Sequence, residues 1–239
     1  MSGRILLAGL AWVAAAVADV PPNRLVLHYA FDLDSGRVAG DSSPCGNEGQ
    51  LIGTRPIPGV HGNGLQFDGR SAFIRTLSTP SLMPEDLTLS AWVRLDEWPQ
   101  GVVALIFKRN LGHHDNEGYS LQITPTGKAR FVLGNGRWQR ILDSSAALEP
   151  GRWHHVAATF SQPSMTVYVD GILLASGVYD HPMQHNPGAD LFIGARDHLA
   201  HPMDSFAQVG LDDVRIYARA LSDVEIMGLA MGGAIWLPW

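Results

Sequence analysis

Residues 152–177 show the clearest alternation of hydrophobic and polar side chains, and this alternation predicts three consecutive β-strands. Within 153–160, and again within 165–169, apolar residues recur at every second position, as they do on a strand with one buried face. Asp170-Gly171 precedes a third strand at 172–175 and favours a two-residue hairpin, because glycine accepts a positive φ. A three-stranded meander cannot bury its apolar face alone, so we expect further strands to cover it.

The same pattern predicts strands along most of the chain, separated by turns that are rich in glycine and asparagine. These additional strands are 25–31, a short strand within 59–73, 87–95, 102–108, 119–123, 128–133, 136–142, 191–195 and 210–217. Asp68-Gly69 indicates one more hairpin. Ser222 and Glu225 have the spacing of a capping box, which predicts a short helix that ends near Leu229. The chain is therefore predicted to be an all-β protein with one C-terminal helix.

Length and composition are consistent with this fold class. The chain has 239 residues, 46% of them hydrophobic, and a mean hydropathy of +0.02, as expected for a soluble protein with a sizeable core. We find no repeat or linker and expect residues 19–239 to form a single domain. The net charge of −6 argues against nucleic acid and anionic membranes as partners, but not against sugars. Cys45 is the single cysteine of the sequence, so no intrachain disulfide is possible.

The N-terminus has the features of a secretory signal peptide. Arg4 precedes the apolar stretch 5–16, and Ala16-Val17-Ala18 is a cleavage site of the small-x-small type. An uncleaved membrane anchor or a misassigned start are the alternatives. We expect residues 1–18 to be removed and the mature protein to be secreted or periplasmic. No second apolar run is long enough for a transmembrane helix, so we expect no stable membrane insertion.

Four segments together resemble one known family. They are WHHVAATF with MTVYVDG in the meander, GVHGNGLQFDG at 59–69, LTLSAWV at 87–93 and GLDDVRIYARALS at 210–222. The chain thus resembles, over about residues 25–230, the laminin-G-like jelly rolls of the concanavalin A-like lectin and glucanase superfamily. The resemblance implies a two-sheet antiparallel jelly-roll sandwich. It does not by itself assign a function, because many functions share one fold.

A structural calcium site is expected near the first strand. The polar loop 32–49 supplies several hard oxygen ligands at short spacing, which Ca²⁺ prefers. The resemblance places Asp212 beside this loop, so the expected ligands are Asp32, Asp41, Asn47 and Asp212. The alternative is a solvated loop whose polar side chains bond to their own backbone.

Histidines concentrate in three predicted loops that would form a rim if they met. The pairs are His113 with His114, His181 with His185, and His198 with His201. Aromatic and basic groups near such a rim would hold sugar, and a histidine and tyrosine pair would also be able to transfer protons. The candidate ligand-binding residues are His113, His114, Tyr119, Trp138, Arg196 and His198, with Lys108 nearby. The alternative is a set of unrelated surface histidines.

Motifs for catalysis are not found in the sequence. There is no strand with alternating acidic residues of the kind that glucanases of this superfamily carry, and no Q-x-H strand like that of the alginate lyases with this fold. The motifs G-x-S-x-G and H-E-x-x-H are also missing. We therefore predict a secreted, non-catalytic module that binds a polysaccharide, oligosaccharide or glycoconjugate. Two alternatives remain open: a polysaccharide lyase or hydrolase that uses the histidine-rich rim, and a protein-interaction or adhesion module.

Overall fold

The computed structural model describes residues 24–32, 36–110, 116–196 and 206–232. Sixteen strands, one 3₁₀ turn (Pro80–Leu82) and one α-helix lie within these ranges. The strands are β1 Leu25–Tyr29, β2 Val38–Ala39, β3 Gly49–Ile52, β4 Arg55–Pro58, β5 Asn63–Asp68, β6 Phe73–Thr76, β7 Leu87–Leu95, β8 Val103–Asn110, β9 Asn116–Ile123, β10 Lys128–Gly136, β11 Gln139–Ala147, β12 Trp153–Ser161, β13 Ser164–Val169, β14 Ile172–Val178, β15 Leu191–Ile193 and β16 Gln208–Tyr217. The helix α1 is Asp223–Ala230.

The strands form two antiparallel sheets that pack face to face. Sheet A has the order β14-β13-β12-β7-β16-β5-β4, with β1 also paired to β16, and sheet B has the order β11-β10-β9-β8-β15-β6-β3-β2. Side chains from the inner faces fill the space between the sheets: Leu89 and Val156 of sheet A and Leu121 and Phe131 of sheet B are all fully buried. Each such side chain stabilises the fold by about 1.5–3 kcal/mol. The predicted two-sheet jelly-roll sandwich is confirmed.

The central meander also forms as predicted. β12 pairs with β13, and β13 pairs with β14, all antiparallel. Asp170 and Gly171 have φ angles of 51° and 78°, the two positive values that a type I′ turn requires. The capping box is present as well, because the Ser222 hydroxyl accepts from the Glu225 N–H and the Glu225 carboxylate accepts from the Ser222 N–H. The helix α1 therefore begins where the sequence predicts.

The predicted hairpin at Asp68-Gly69 is wrong. β5 ends at Asp68 in sheet A, whereas β6 begins at Phe73 in sheet B, so the chain crosses between the sheets here. The Asp68 carboxylate accepts hydrogen bonds from the backbone N–H groups of Arg70, Ser71 and Ala72 at 2.8, 2.8 and 2.9 Å. These bonds satisfy the backbone N–H groups of the turn, so the turn does not require a pair of hydrogen-bonded strands on either side.

Strand β16 changes its partner halfway along one edge. One edge of β16 pairs with β7, while the other pairs first with β5, through residues 208–211, and then with β1, through residues 214–217. The change occurs at a bulge, where Asp213 has a φ of 51° and the alternation of faces is interrupted. Both aspartates of the Asp212-Asp213 pair contact His61 as a result.

The two outer faces of the sandwich differ. The outer face of sheet A is partly covered by α1, whose Ile226 and Leu229 pack against Ala157, Tyr168 and Tyr217. The outer face of sheet B carries a pocket, described below. In the part of the chain that the structure covers, no helix has the length and hydrophobicity needed to cross a membrane. The predicted signal peptide, residues 1–18, lies outside the described residues.

Candidate functional site

A pocket of about 180 Å³ opens on the outer face of sheet B. It lies over β8, β9, β10 and β11, next to the segment that follows β15. The pocket, called the arginine pocket below, is lined by Val102, Phe107, Arg109, Gln122, Arg130, Val132, Gln139, Ile141 and Arg196. Its volume is below the roughly 300–1,000 Å³ of typical small-molecule sites, so it would enclose one part of a larger ligand.

Strand register explains how Arg109 reaches across this face. Arg109 of β8 is paired with Gly118, Gly118 with Gly134, and Gly134 with Gln139 of β11. The two intervening positions are glycines, so no side chain stands between Arg109 and the far strand. The Arg109 Nη2 group donates to the Gln139 Oε1 atom at 2.8 Å. The long arginine side chain thus lies flat along one row of the sheet.

The next polar row of the pocket contains a paired arginine. Gln122, Arg130 and Asp143 are neighbours in register on β9, β10 and β11. The Arg130 guanidinium donates two parallel hydrogen bonds to the Asp143 carboxylate, at 2.7 and 2.8 Å. The Gln122 amide donates to the Ser120 hydroxyl at 2.9 Å, and its Oε1 atom accepts no hydrogen bond from the described residues. The charge of Arg130 is therefore balanced within the sheet.

Arg109 and Arg196 differ from Arg130 in lacking a carboxylate partner among the described residues. Arg109 is only 5% exposed, and the Nε atoms of both Arg109 and Arg196 are buried without a hydrogen-bond partner in the described part of the chain. Burial, together with the nearby positive charge of Arg196, lowers the pKa of Arg109 to about 10. The pocket is thus locally positive in a protein of net charge −6.

Apolar and aromatic side chains flank the arginine pocket. Phe107 also belongs to a buried cluster on the same face that includes Phe73 and Phe192 and packs against Phe206. Trp138 immediately precedes Gln139 and is 56% exposed, with the Arg137 guanidinium carbon 5.3 Å from its ring centroid. An exposed indole is suited to the flat, hydroxylated surface of a sugar.

Tyr119, another predicted ligand-binding residue, lies on the opposite face of sheet B. Its side chain is fully buried in the core, and its hydroxyl donates to the Leu82 carbonyl at 3.0 Å. Burial raises the pKa of Tyr119. Lys108 is also buried and donates to Ser78 Oγ and to the Ala189 carbonyl. Tyr119 and Lys108 are thus not brought together with Arg196 in the arginine pocket.

The other predicted ligand-binding residues, His113, His114 and His198, lie outside the described residues, as does His201. Of the remaining rim histidines, His185 places its Nε2 atom 2.8 Å from the Pro84 carbonyl, and His181 packs edge-on against Tyr179.

Two of the four candidate calcium ligands have their polar atoms engaged by the protein itself. The Asp41 carboxylate accepts four hydrogen bonds, from the backbone N–H groups of His28, Ser43 and Asn47 and from the Ser43 hydroxyl. The Asn47 amide bonds to the Val26 carbonyl and to two hydroxyls. These contacts fasten the loop to β1, so the Asp41 and Asn47 side chains already have a role in the fold without a metal ion.

The other two candidates, Asp32 and Asp212, both contact the turn between β4 and β5. Asp32 Oδ1 accepts from the Asn63 N–H at 2.8 Å, and Asp212 Oδ2 accepts from the Val60 and His61 N–H groups. Asp212 Oδ1 is buried without a hydrogen-bond partner in the described part of the chain, and burial raises the pKa of Asp212. An unpartnered buried oxygen fits a cation, although the described residues contain no cluster of three or more His, Cys, Asp or Glu side chains around one point.

A polar cluster on the outer face of sheet A surrounds His155. The His155 ring contacts Trp92 edge-on at 5.4 Å between centroids, and neither of its nitrogens has a hydrogen-bond partner in the described part of the chain. Beside it, His28 Nε2 lies 2.7 Å from Asp213 Oδ1, to which Arg215 also donates. Burial lowers the pKa of His155 to about 4. This cluster joins β1, β7, β12 and β16, and we interpret it as structural.

The sequence matches the family model of the concanavalin A-like lectin/glucanases superfamily over residues 68–227. Since this match covers most of the chain and the fold agrees with it, the protein belongs to that superfamily. A comparison with curated protein sequences finds no match.

Solved structures with the same fold include domain 4 of AbnA, an extracellular arabinanase from Geobacillus stearothermophilus, in complex with arabinotriose. It matches with a TM-score of 0.65 and 20% identity, over 87% of this chain and 98% of that one. The binding domain of Paraclostridial Mosquitocidal Protein 1 matches with a TM-score of 0.67 and 16% identity, over 87% and 52%. Trypanosoma rangeli sialidase in complex with 2,3-difluorosialic acid matches with a TM-score of 0.69 and 23% identity, over 89% and 33%. The chain thus spans about half of the mosquitocidal domain's chain and one third of the sialidase.

Four polar residues of the arginine pocket were not among the sequence-based candidates. They are Arg109, Gln122, Arg130 and Gln139. A partial signal exists in the sequence, because Gln122 and Arg130 are long polar side chains between apolar neighbours, whereas Arg109 and Gln139 have polar neighbours. The signal becomes specific only when the strand register shows that all four lie on the outer face.

Proposed function

We propose that the protein is a non-catalytic carbohydrate-binding module whose ligand lies in the arginine pocket and extends toward Trp138. The observation that carries this proposal is the set of guanidinium and amide groups in a pocket on the outer face of a lectin-like sheet. An exposed indole, Trp138, immediately precedes Gln139 of this set in the sequence. Sugars are held by such combinations, since polar groups fix the hydroxyls while an aromatic face covers the ring. The arabinanase domain with arabinotriose bound is a precedent for saccharide binding by this fold.

The polar groups of the pocket favour binding over glycoside hydrolysis. Hydrolysis of a glycosidic bond ordinarily requires two carboxyl groups, one on each side of the bond. The described residues that line the arginine pocket include no carboxylate, and the neighbouring Asp143 is held by Arg130. A lyase would require a base, and the predicted Tyr119 is engaged in the core.

The proposal also includes a bound calcium ion and secretion of the protein. A calcium ion would be held by Asp32 and Asp212 beside the turn at residues 59–63, and it would tie β1 to the β16 bulge through the loop after β1. Support comes from the unpartnered Asp212 Oδ1 atom. Secretion rests on the signal-peptide features of residues 1–18.

The test is affinity electrophoresis of the protein without residues 1–18 through gels that contain neutral or acidic polysaccharides, with calcium or with a chelator. Retardation by one polysaccharide supports the proposal, and the Gln122→Ala variant is then expected to bind about fivefold more weakly, as for the loss of one hydrogen bond of about 1 kcal/mol. Gln66→Ala is the matched control, because Gln66 is an equally buried glutamine on sheet A. Equal losses in both variants, or no retardation by any polysaccharide, would contradict the proposed site.

A further inference from the structure

The arginine pocket contains two positive charges that no described side chain neutralises. The guanidinium groups of Arg109 and Arg196 line the same pocket, and the positive charge of Arg196 disfavours the charge of Arg109. Asp143, the acidic residue beside the pocket, forms a two-pronged ion pair with Arg130. Like charges held together at a partly buried site have an energetic cost that a bound anion removes.

The neutral amide groups of Gln122 and Gln139 line the same pocket as the two arginines. Gln139 accepts from Arg109 through Oε1, and its amide nitrogen makes no hydrogen bond within the described residues. Gln122 uses its amide nitrogen for Ser120, and its Oε1 atom remains an acceptor. A ligand with one anionic group and neighbouring hydroxyls would therefore find a cationic fork, a donor and an acceptor in the same pocket.

The shape of the guanidinium group narrows the class of anion. Its planar N–H groups match the two oxygens of a carboxylate and can donate to both at once. The pocket of about 180 Å³ is large enough for a charged substituent of a sugar ring but is small for a whole oligosaccharide. The rest of the ring would extend over Val132 and Ile141, which are apolar and line the opening.

We infer that the ligand is an acidic saccharide whose sugar carboxylate binds between Arg109 and Arg196. This inference rests on the proposed function and specifies its ligand class. The protein's overall charge of −6 repels polyanions at long range, so the binding depends on the local field of the pocket.

The test uses isothermal titration with oligosaccharides that contain galacturonate, glucuronate, mannuronate or sialate, each compared with its methyl ester. The ester keeps the size and hydroxyls of the sugar but removes the charge. At least one acid is expected to bind about tenfold or more tightly than its ester. This difference is expected to shrink as salt is raised from about 0.05 to about 0.5 M, because the charges are screened.

Substitutions of single arginines test whether the difference in affinity between acid and ester arises in the arginine pocket. Arg196→Gln is expected to weaken binding of the acid about tenfold and binding of the ester much less, whereas Arg196→Lys is expected to weaken binding of the acid less, because it keeps the charge. Arg152→Gln is the matched control, because Arg152 is exposed and lies outside the pocket. This substitution changes the net charge by the same amount as Arg196→Gln.

The possible failures are distinguishable. Equal binding of acid and ester, or a saccharide panel in which only neutral members bind, would overturn the acidic ligand but leave carbohydrate binding intact. Binding of sulfated saccharides without binding of any carboxylate sugar would overturn the carboxylate assignment. If no member of the neutral or acidic panel binds, both the proposed function and this inference fail.

Discussion

Acidification is expected to destabilise the fold through His155 at pH values well above those at which Asp68 and Glu225 titrate. The side chain is 1% exposed, and its charged form would have to be accommodated in the packed cluster of sheet A. Burial is the main cause of the lowered pKa, with Arg215 second and His61 acting in the same direction. Asp170 and Asp213 favour the charged form but do not compensate for the burial.

The size of the effect follows from the two pKa values. His155 has a pKa of about 4 in the folded protein and an ordinary value of 6.5 when unfolded, so the difference of about 2.5 corresponds to about 3 kcal/mol at ~1.4 kcal/mol per pKa unit. The unfolded state binds the proton more tightly. The contribution is therefore fully present above pH 6.5 and is lost as the pH falls toward 4. Between pH 7 and pH 5, about 2 kcal/mol of stability should disappear.

Urea unfolding at pH 7, 6 and 5, followed by tryptophan fluorescence, measures this loss. The matched variant is His155→Phe, which does not titrate and keeps an aromatic ring against Trp92; because the imidazole nitrogens make no hydrogen bonds within the described residues, none is lost. Asp68 and Glu225, with pKa values of about 2, titrate below this range. The lowered pKa of His185 affects both proteins equally. Wild type is expected to lose about 2 kcal/mol more than the variant.

Identical pH dependence in the two proteins would refute the reasoning. An NMR titration of the His155 ring in the folded protein gives an independent check that does not require the variant to fold. A ring that titrates near pH 6.5 would show that the buried cluster accommodates the charge without cost.

Three further predictions address the other candidate residues. Tyr119→Phe should lower the free energy of unfolding by about 1–2 kcal/mol, because the Leu82 carbonyl loses its partner, while saccharide affinity stays the same; reduced affinity without a loss of stability would contradict the buried placement. Asp212→Asn should abolish a calcium-dependent rise in Tm, measured by calorimetry with calcium and with chelator, and an unchanged calcium response would exclude this carboxylate as a ligand. Trp138→Ala should weaken saccharide binding about fivefold at unchanged Tm, since covering about 40 Å² of apolar surface gives about 1 kcal/mol, and unaltered affinity would exclude the indole as a platform.

The fold was predictable where strands have one buried face and sufficient length. β7, β12 and β13 alternate over six to nine residues, so the sequence itself reports which face is inside. The strands β2, β3 and β4 were missed because they have only two to four residues. β4 also contains two prolines, which argue against a central strand but are tolerated here because β4 lies at an edge of sheet A.

The candidate site was less predictable, because it depends on which strands become neighbours. Arg109 and Gln139 are 30 positions apart and meet only because β8, β9, β10 and β11 pair in sequence with two glycines in the shared row. The residue type of Tyr119 suggested ligand binding, yet its position in the alternation of β9 places it in the core. Arg196 was identified from its residue type and loop position, and the structure places it at the arginine pocket.

The central position of β16 determines when sheet A can form during synthesis of the chain. Among the described residues it is the last strand in sequence, yet it occupies the middle of sheet A and is the common partner of β7, β5 and β1. Until residues 208–217 leave the ribosome, the edges of β7 and β5 remain unpaired, and β1 has no strand to join. A nascent chain therefore exposes internal sheet edges until β16 has emerged, and such edges can pair with other chains. A chain that stops before β16 would lose the strand that joins β7 to β5 in sheet A. A chain that lacks an edge strand would lose only the hydrogen bonds at one side of the sheet.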